Sequence, residues 1–244
     1  MRYSIALMLV GSGAALLVAM AQGNAQTQLM EAIYGSQGRI NAFFQRFVLR
    51  GGFTHRDLLM VLALGQCAAG GLLLINRFTR VVLWVVLAGG GMRIAALPVM
   101  TVPMVELDVM TYTSPALLVR AVDIGVALVV VVLLCHQSEA PPAMEAGLLK
   151  AALVVPLVIG GLFYGMAKVN SFDMPAWWLL TVAGLLLWRH WLVSRIGAGT
   201  VLVVLLYSVF RHLVGMHPLY ELASVLGLLP LMAAAGVLLV SSGR

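Results

Sequence analysis

Charged side chains are scarce in this sequence, and several stand inside apolar runs, where each needs a partner or a task. Arg93, Arg120, Asp123, Lys168, Asp173, Arg211, His212, His217 and Glu221 are of this kind. A charge held in hydrocarbon is costly, so it pairs, reaches an interface or serves a function. Arg120 and Asp123 stand three apart, the spacing that sets two side chains on one helix face. Seven residues are therefore candidates for a polar site: Arg93, Arg120, Asp123, Lys168, Arg211, His212 and Glu221. The competing explanation is a set of ion pairs and snorkelling side chains that only fix helix packing.

Other reactive residue types carry weaker signals. His136, His190, His212 and His217 lie near the ends of apolar runs. A b-type heme needs two imidazoles facing each other at one depth, and no bis-histidine spacing occurs. Met92, Met100, Met104 and Met110 straddle a loop, and thioethers suit Cu(I), but their spacing is irregular. No metal site is expected. The two cysteines, Cys67 and Cys135, sit in hydrophobic runs without a CxxC pattern and read as small apolar residues. No Ser-His-Asp, HExxH or Walker pattern is present, and a phosphate-binding glycine loop would need a preceding strand. The sequence points to no catalytic residue.

The elements that must position these residues follow from composition. Of 244 residues, 62% are hydrophobic and 10% charged, with a mean hydropathy of +1.03. Soluble domains average about 45–50% apolar and about 25% charged. The expected class is all-α, a polytopic transmembrane bundle. Eight apolar stretches are legible: 5–20, 58–75, 81–99, 116–135, 148–167, 176–188, 196–209 and 219–240. Trp177, Trp178, Trp188 and Trp191 flank the sixth as interface anchors. The first stretch is either a retained span or a cleaved signal, since Ala19-Met20-Ala21 resembles a signal-peptidase site. Cleavage would leave seven helices. Residues 28–50 form the one amphipathic segment, with Leu29, Ile33, Ile40, Phe43, Phe44, Phe47 and Val48 at helical spacing. Its expected place is the membrane surface or a cap on the bundle.

Fifteen Lys and Arg residues against nine acids give a net charge of +6. They form no basic run, which excludes a nucleic-acid partner. With eight spans, Arg2, Arg77, Arg80, Lys150, Arg189, Arg195 and Arg244 share one side. The positive-inside rule makes that side cytoplasmic, with both termini inside and the chain in the inner membrane. Arg39, Arg46, Arg50 and Arg56 then lie outside, against the rule. An amphipathic helix holding arginines at the headgroups softens the conflict. In this topology the candidate polar residues fall toward the outer leaflet. Gly89-Gly90-Gly91 and Gly197 with Gly199 are expected where helices approach closely.

The chain also reads as two halves of four helices, 1–136 and 147–244. In each, the second helix runs into a basic hairpin, and Ser or Thr then Arg precedes the third: Thr79-Arg80 and Ser194-Arg195. The third helices carry Arg93 and Arg211. The fourth helices start after Pro115 and Pro218 and carry Asp123 and Glu221. Two segments resemble the DoxX-like family of four-helix membrane proteins. One is Gly65 through Gly70-Gly71-Leu72-Leu73-Leu74, with Arg77 and Thr79-Arg80 following, similar to that family's glycine-rich second helix and basic turn. The other is Gly160-Gly161-Leu162-Phe163-Tyr164-Gly165-Met166-Ala167-Lys168, similar to its first helix. The family's acid at the start of the second helix is absent, with Gln66 the nearest polar residue, and the first half lacks the lysine. The resemblance implies an accessory subunit that docks a protein partner in a redox or quinone-linked membrane system and contacts quinone. The alternative is a small carrier of a solute or lipid, suggested by the repeat and by charges at membrane depth.

Overall fold

The computed structural model describes residues 1–21, 55–96, 109–166, 191–214 and 226–241. These residues are almost wholly helical, without a strand among them. Seven helices follow in order: α1 (Arg2–Ala21), α2 (His55–Leu74), α3 (Thr79–Ala96), α4 (Val109–Gln137), α5 (Pro142–Met166), α6 (Trp191–Val214) and α7 (Leu229–Ser241). Six of the eight expected stretches coincide with the first six helices, and the eighth overlaps α7 from Leu229 onward. The sixth stretch, 176–188, and the amphipathic segment 28–50 lie outside the described residues. Among the described residues no helix meets the joint standard of length and apolarity for crossing a membrane.

Two tight turns organise the bundle, and both close α-helices in the same way. At the end of α2, Arg77 N–H donates to Leu72 O at 2.9 Å and Asn76 N–H to Leu73 O at 3.3 Å. At the end of α4, Ala140 N–H donates to Cys135 O at 3.1 Å and Glu139 N–H to His136 O at 3.3 Å. These paired bonds are the Schellman arrangement, which requires a left-handed residue after the helix. Asn76 (φ 58°) and Glu139 (φ 55°) take that place. Glycine would do so without the steric cost a Cβ imposes. Pro142 then opens α5 at its first position, where a missing N–H costs nothing.

Helix pairs build the bundle, and the α4–α5 pair is the one that a described tight turn joins. α1 packs along α2, α4 along α5 and α6 along α7, while α7 also touches α1, α4 and α5. The α1–α2 pair is glycine-mediated. A Cβ on Gly13 would lie 2.6 Å from Ala63 O, and one on Gly70 would lie 2.7 Å from Ala6 O. Small residues let backbones approach this closely. Gly125 does the same on α4, where a Cβ would meet Ala152 O at 2.7 Å. The expected glycines behave differently. Gly89, Gly90 and Gly91 have nothing beside them among the described residues, and Gly199 meets only Leu239 Cδ1 at an ordinary 3.4 Å. The α3 triplet therefore does not mediate a close approach. Gly89 and Gly90 stand seven residues beyond buried Val82 and Leu83, on the same face of α3, but past the level at which a described neighbour covers that face. The core is aliphatic, with Ile5, Leu73, Leu83, Val129, Val130, Leu153 and Val201 fully buried.

Two prolines correct the expected helix ends. Pro115 does not open α4, which begins six residues earlier at Val109. Proline's fixed φ fits a helix, and its cost here is one lost bond to the carbonyl of Thr111. The eighth stretch, read as one helix, is interrupted. Leu226 is helical, Gly227 and Leu228 form a turn, and α7 starts at Leu229. The carbonyl of Leu226 would need the N–H of residue 230, and Pro230 has none. The new helix takes its first bond from Met232 N–H to Leu228 O at 2.9 Å.

Candidate functional site

The candidate polar residues fall in three groups. Lys168 and Glu221, with Asp173 and His217, lie outside the described residues. Arg93, Arg120, Arg211 and His212 are placed by backbone alone: Arg93 in the last turn of α3, Arg120 on α4, Arg211 and His212 at the end of α6. Asp123 is described in full. It is the middle residue of the 29 in α4, about 21 Å from either end at 1.5 Å per residue. The sequence reading set Asp123 near the start of its apolar run; it is mid-helix because α4 starts seven residues before that run. Asp123 is half-buried, and it is engaged in a polar interaction. α3 packs on α4, so the helix carrying Arg93 neighbours the one carrying Arg120 and Asp123. α6, carrying Arg211 and His212, packs on α7, which in turn touches α4.

Pro156 and Pro230 are the residues of the sequence able to break a helix inside an apolar run, and the structure places both beside α4. Pro156 lies inside α5 and denies an N–H to the carbonyl of Ala152. That carbonyl is the atom crowding Gly125, and Pro156 Cγ stands 3.0 Å from the same Cβ position. Leu231, in the first turn of α7, is the third neighbour at 2.8 Å. Gly125 thus makes room for the Pro156 turn of α5 and for the start of α7, two residues beyond Asp123. The signal was present in the text of the chain as Pro156 and as Gly227 with Pro230, but both lie inside unbroken apolar runs.

The other polar cluster sits at the α2–α3 turn. Arg2 at the start of α1 donates through Nη1 to Asn76 Oδ1 and through Nη2 to Tyr3 Oη at 2.9 Å. Its guanidinium carbon stands 4.7 Å from the Tyr3 ring centre. Thr79 Oγ1 donates to the same Asn76 oxygen at 3.1 Å. The Met1 amino group is held below its ordinary value by burial and then by the Arg2 charge. Across the α4–α5 turn, His136 Nδ1 approaches Glu145 Oε2 at 3.3 Å, an ion pair when His136 is protonated. Cys67 and Cys135 are both free thiols, and Cys67 Sγ lies 3.8 Å from Val10 O.

No group of three or more metal-ligating side chains occurs among the described residues. No family model, curated protein or solved structure matches the chain.

Proposed function

We propose that the chain is a multi-pass subunit of the inner membrane, with both termini cytoplasmic. It would dock a protein partner of a redox or quinone-linked system. The observation that carries the membrane part is the apolar surface. Helices whose inward faces are aliphatic are apolar on their outward faces too: Val61 is 62% exposed on α2, Trp84 55% on α3 and Val203 64% on α6. Helices apolar all round belong in a large core or in lipid, and this bundle is too small to bury them itself.

Two facts pull against each other here. By the joint standard of length and apolarity, no described helix crosses a membrane. Yet Ser4–Ala21, wholly within α1, is 18 residues long and holds no charged side chain. At 1.5 Å per residue, the 20-residue α1 rises about 30 Å, the thickness of the hydrocarbon layer. Length and charge set the cost of a span, and α1 meets both demands.

The accessory role draws on the resemblance of Gly65–Arg80 and Gly160–Lys168 to DoxX-like proteins and on the want of a catalytic motif. Quinone is the cofactor class that this resemblance implies. Purification from native membranes in mild detergent tests it. A stoichiometric partner carrying flavin, heme or iron–sulfur absorbance is expected; a chain that purifies alone and binds a solute contradicts it. The second reading, a small carrier, has one specific observation in its favour. Discontinuous helices beside a mid-bundle charge are how carriers expose backbone groups to a substrate. Here Pro156 leaves the Ala152 carbonyl without its helical N–H partner in α5 and α7 begins inside an apolar run, both against the helix that carries Asp123.

A further inference from the structure

We propose that the α1–α2–α3 end of the bundle binds the phosphate group of an anionic phospholipid through Arg77 and Arg80, with Arg2 beside them. The inference rests on the membrane reading above and adds a specific ligand to it.

The argument starts from charge. Residues 1–21 and 55–96 contain one carboxylate, Asp57. It sits in the first turn of α2, at the opposite end of that helix from Asn76. The turn end therefore gathers Arg2, Arg77 and Arg80, while the one acid of the three helices stands at the far end of α2. Arg2 is held by neutral partners, Asn76 and Tyr3, and its Nε is buried without a hydrogen-bond partner. Arg77 and Arg80 are exposed. The α1 and α3 N-termini both lie at this end, and their partial positive charges outnumber the one partial negative charge of the α2 C-terminus. A phosphate diester is the ligand that such a group of donors satisfies best.

The surroundings of the arginines select lipid over a free anion. Phe78, between Arg77 and Arg80, is 70% exposed. Ile75 and Val81 flank the pair and are exposed as well. Water gains nothing from this alternation of arginine and apolar side chain. At a bilayer surface it has a clear use: guanidinium groups meet headgroups while Phe78, Ile75 and Val81 enter the acyl layer. The turn geometry enforces the arrangement. Left-handed Asn76 and Phe78 bracket Arg77, and the Asn76 side chain fastens the turn to Arg2 and Thr79.

The test uses the full chain purified in a neutral maltoside detergent. Phosphatidylglycerol, phosphatidylcholine and inorganic phosphate are added separately. Lipid retention is read by native mass spectrometry and melting temperature by fluorescence. Phosphatidylglycerol is expected to bind at least about tenfold more tightly than phosphatidylcholine and to raise the melting temperature, with phosphate inactive. The double variant Arg77→Gln, Arg80→Gln is expected to lose that preference. Arg56→Gln, an exposed arginine at the far end of α2, is expected to keep it. Equal binding of the two lipids, an equal effect of Arg56→Gln, or stabilisation by phosphate alone overturns the proposal. A chain that inserts into vesicles without lipid preference refutes this inference alone. A chain that stays in solution without detergent refutes the membrane reading itself.

Discussion

Glycines serve opposite purposes on two sides of α2. Gly70 faces α1 so closely that a Cβ would meet the carbonyl of Ala6, and Gly13 returns the same approach from α1. Gly65 and Gly71, on the same helix, meet nothing, and neither does the α3 triplet among the described residues. Identical residue type therefore marks a backbone-to-backbone contact on one face and an open surface on the other. The difference is set by what lies opposite, which composition does not report.

Substitutions separate the two groups. Gly13→Leu and Gly70→Val are expected to have the largest effect. Each forces a side chain against a backbone carbonyl that cannot move aside, at a cost of about 3 kcal/mol. Loss of monodisperse protein in detergent chromatography is the readout; wild-type melting behaviour in either variant would break the assigned α1–α2 contact. Gly125→Val comes next. It must displace Ala152 O, Pro156 and Leu231 together, and the expected result is a fall in melting temperature larger than that of a valine at Gly65.

Neutralising the charges ranks third. If Arg93, Asp123 and Arg211 form a working site, Arg93→Gln, Asp123→Asn and Arg211→Gln lower transport or partner-linked activity while yield is kept. If all three keep activity and only lower yield, the charges serve packing alone. Gly65→Ala and Gly89→Ala sit on the open side and are expected to be neutral or stabilising by up to about 1 kcal/mol, since alanine orders a helix better than glycine. Destabilisation by either would reveal a contact on that face.

The two turns give the smallest contrast. Glu139→Gly removes a left-handed Cβ and is expected to raise stability by about 1 kcal/mol. Asn76→Gly relieves the same strain but loses the acceptor for Arg2 and Thr79, so its gain is expected to be smaller or absent. Thermal melts of the two variants side by side decide the matter.

The helices themselves were legible because an apolar run of 15 to 20 residues has few alternatives to a helix. The stretch 58–75 and helix α2 differ by three residues at one end and one at the other. What failed to show was everything that depends on a neighbour. Gly13 and Gly70 looked no different from Gly89, and Gly89-Gly90-Gly91 drew attention only through being consecutive. The interruption at Gly227 was hidden because Leu226, Leu228 and Leu229 keep the run apolar while Pro230 removes a hydrogen bond. Asp123 was recognised as a residue of interest, but its place at the middle of α4 was not legible, because α4 extends past Pro115 to Val109. Of the other site candidates, Lys168 and Glu221 lie outside the described residues.

Alkaline carbonate extraction of membranes containing the full chain is the most direct test of whether these helices live in lipid. At pH 11 peripheral proteins are released and integral ones stay in the pellet. The apolar outward faces of α2, α3 and α6 require the chain to remain in the pellet until detergent is added. Recovery of the chain in the supernatant would contradict the membrane reading, and the quinone-linked and lipid-phosphate proposals would fall with it.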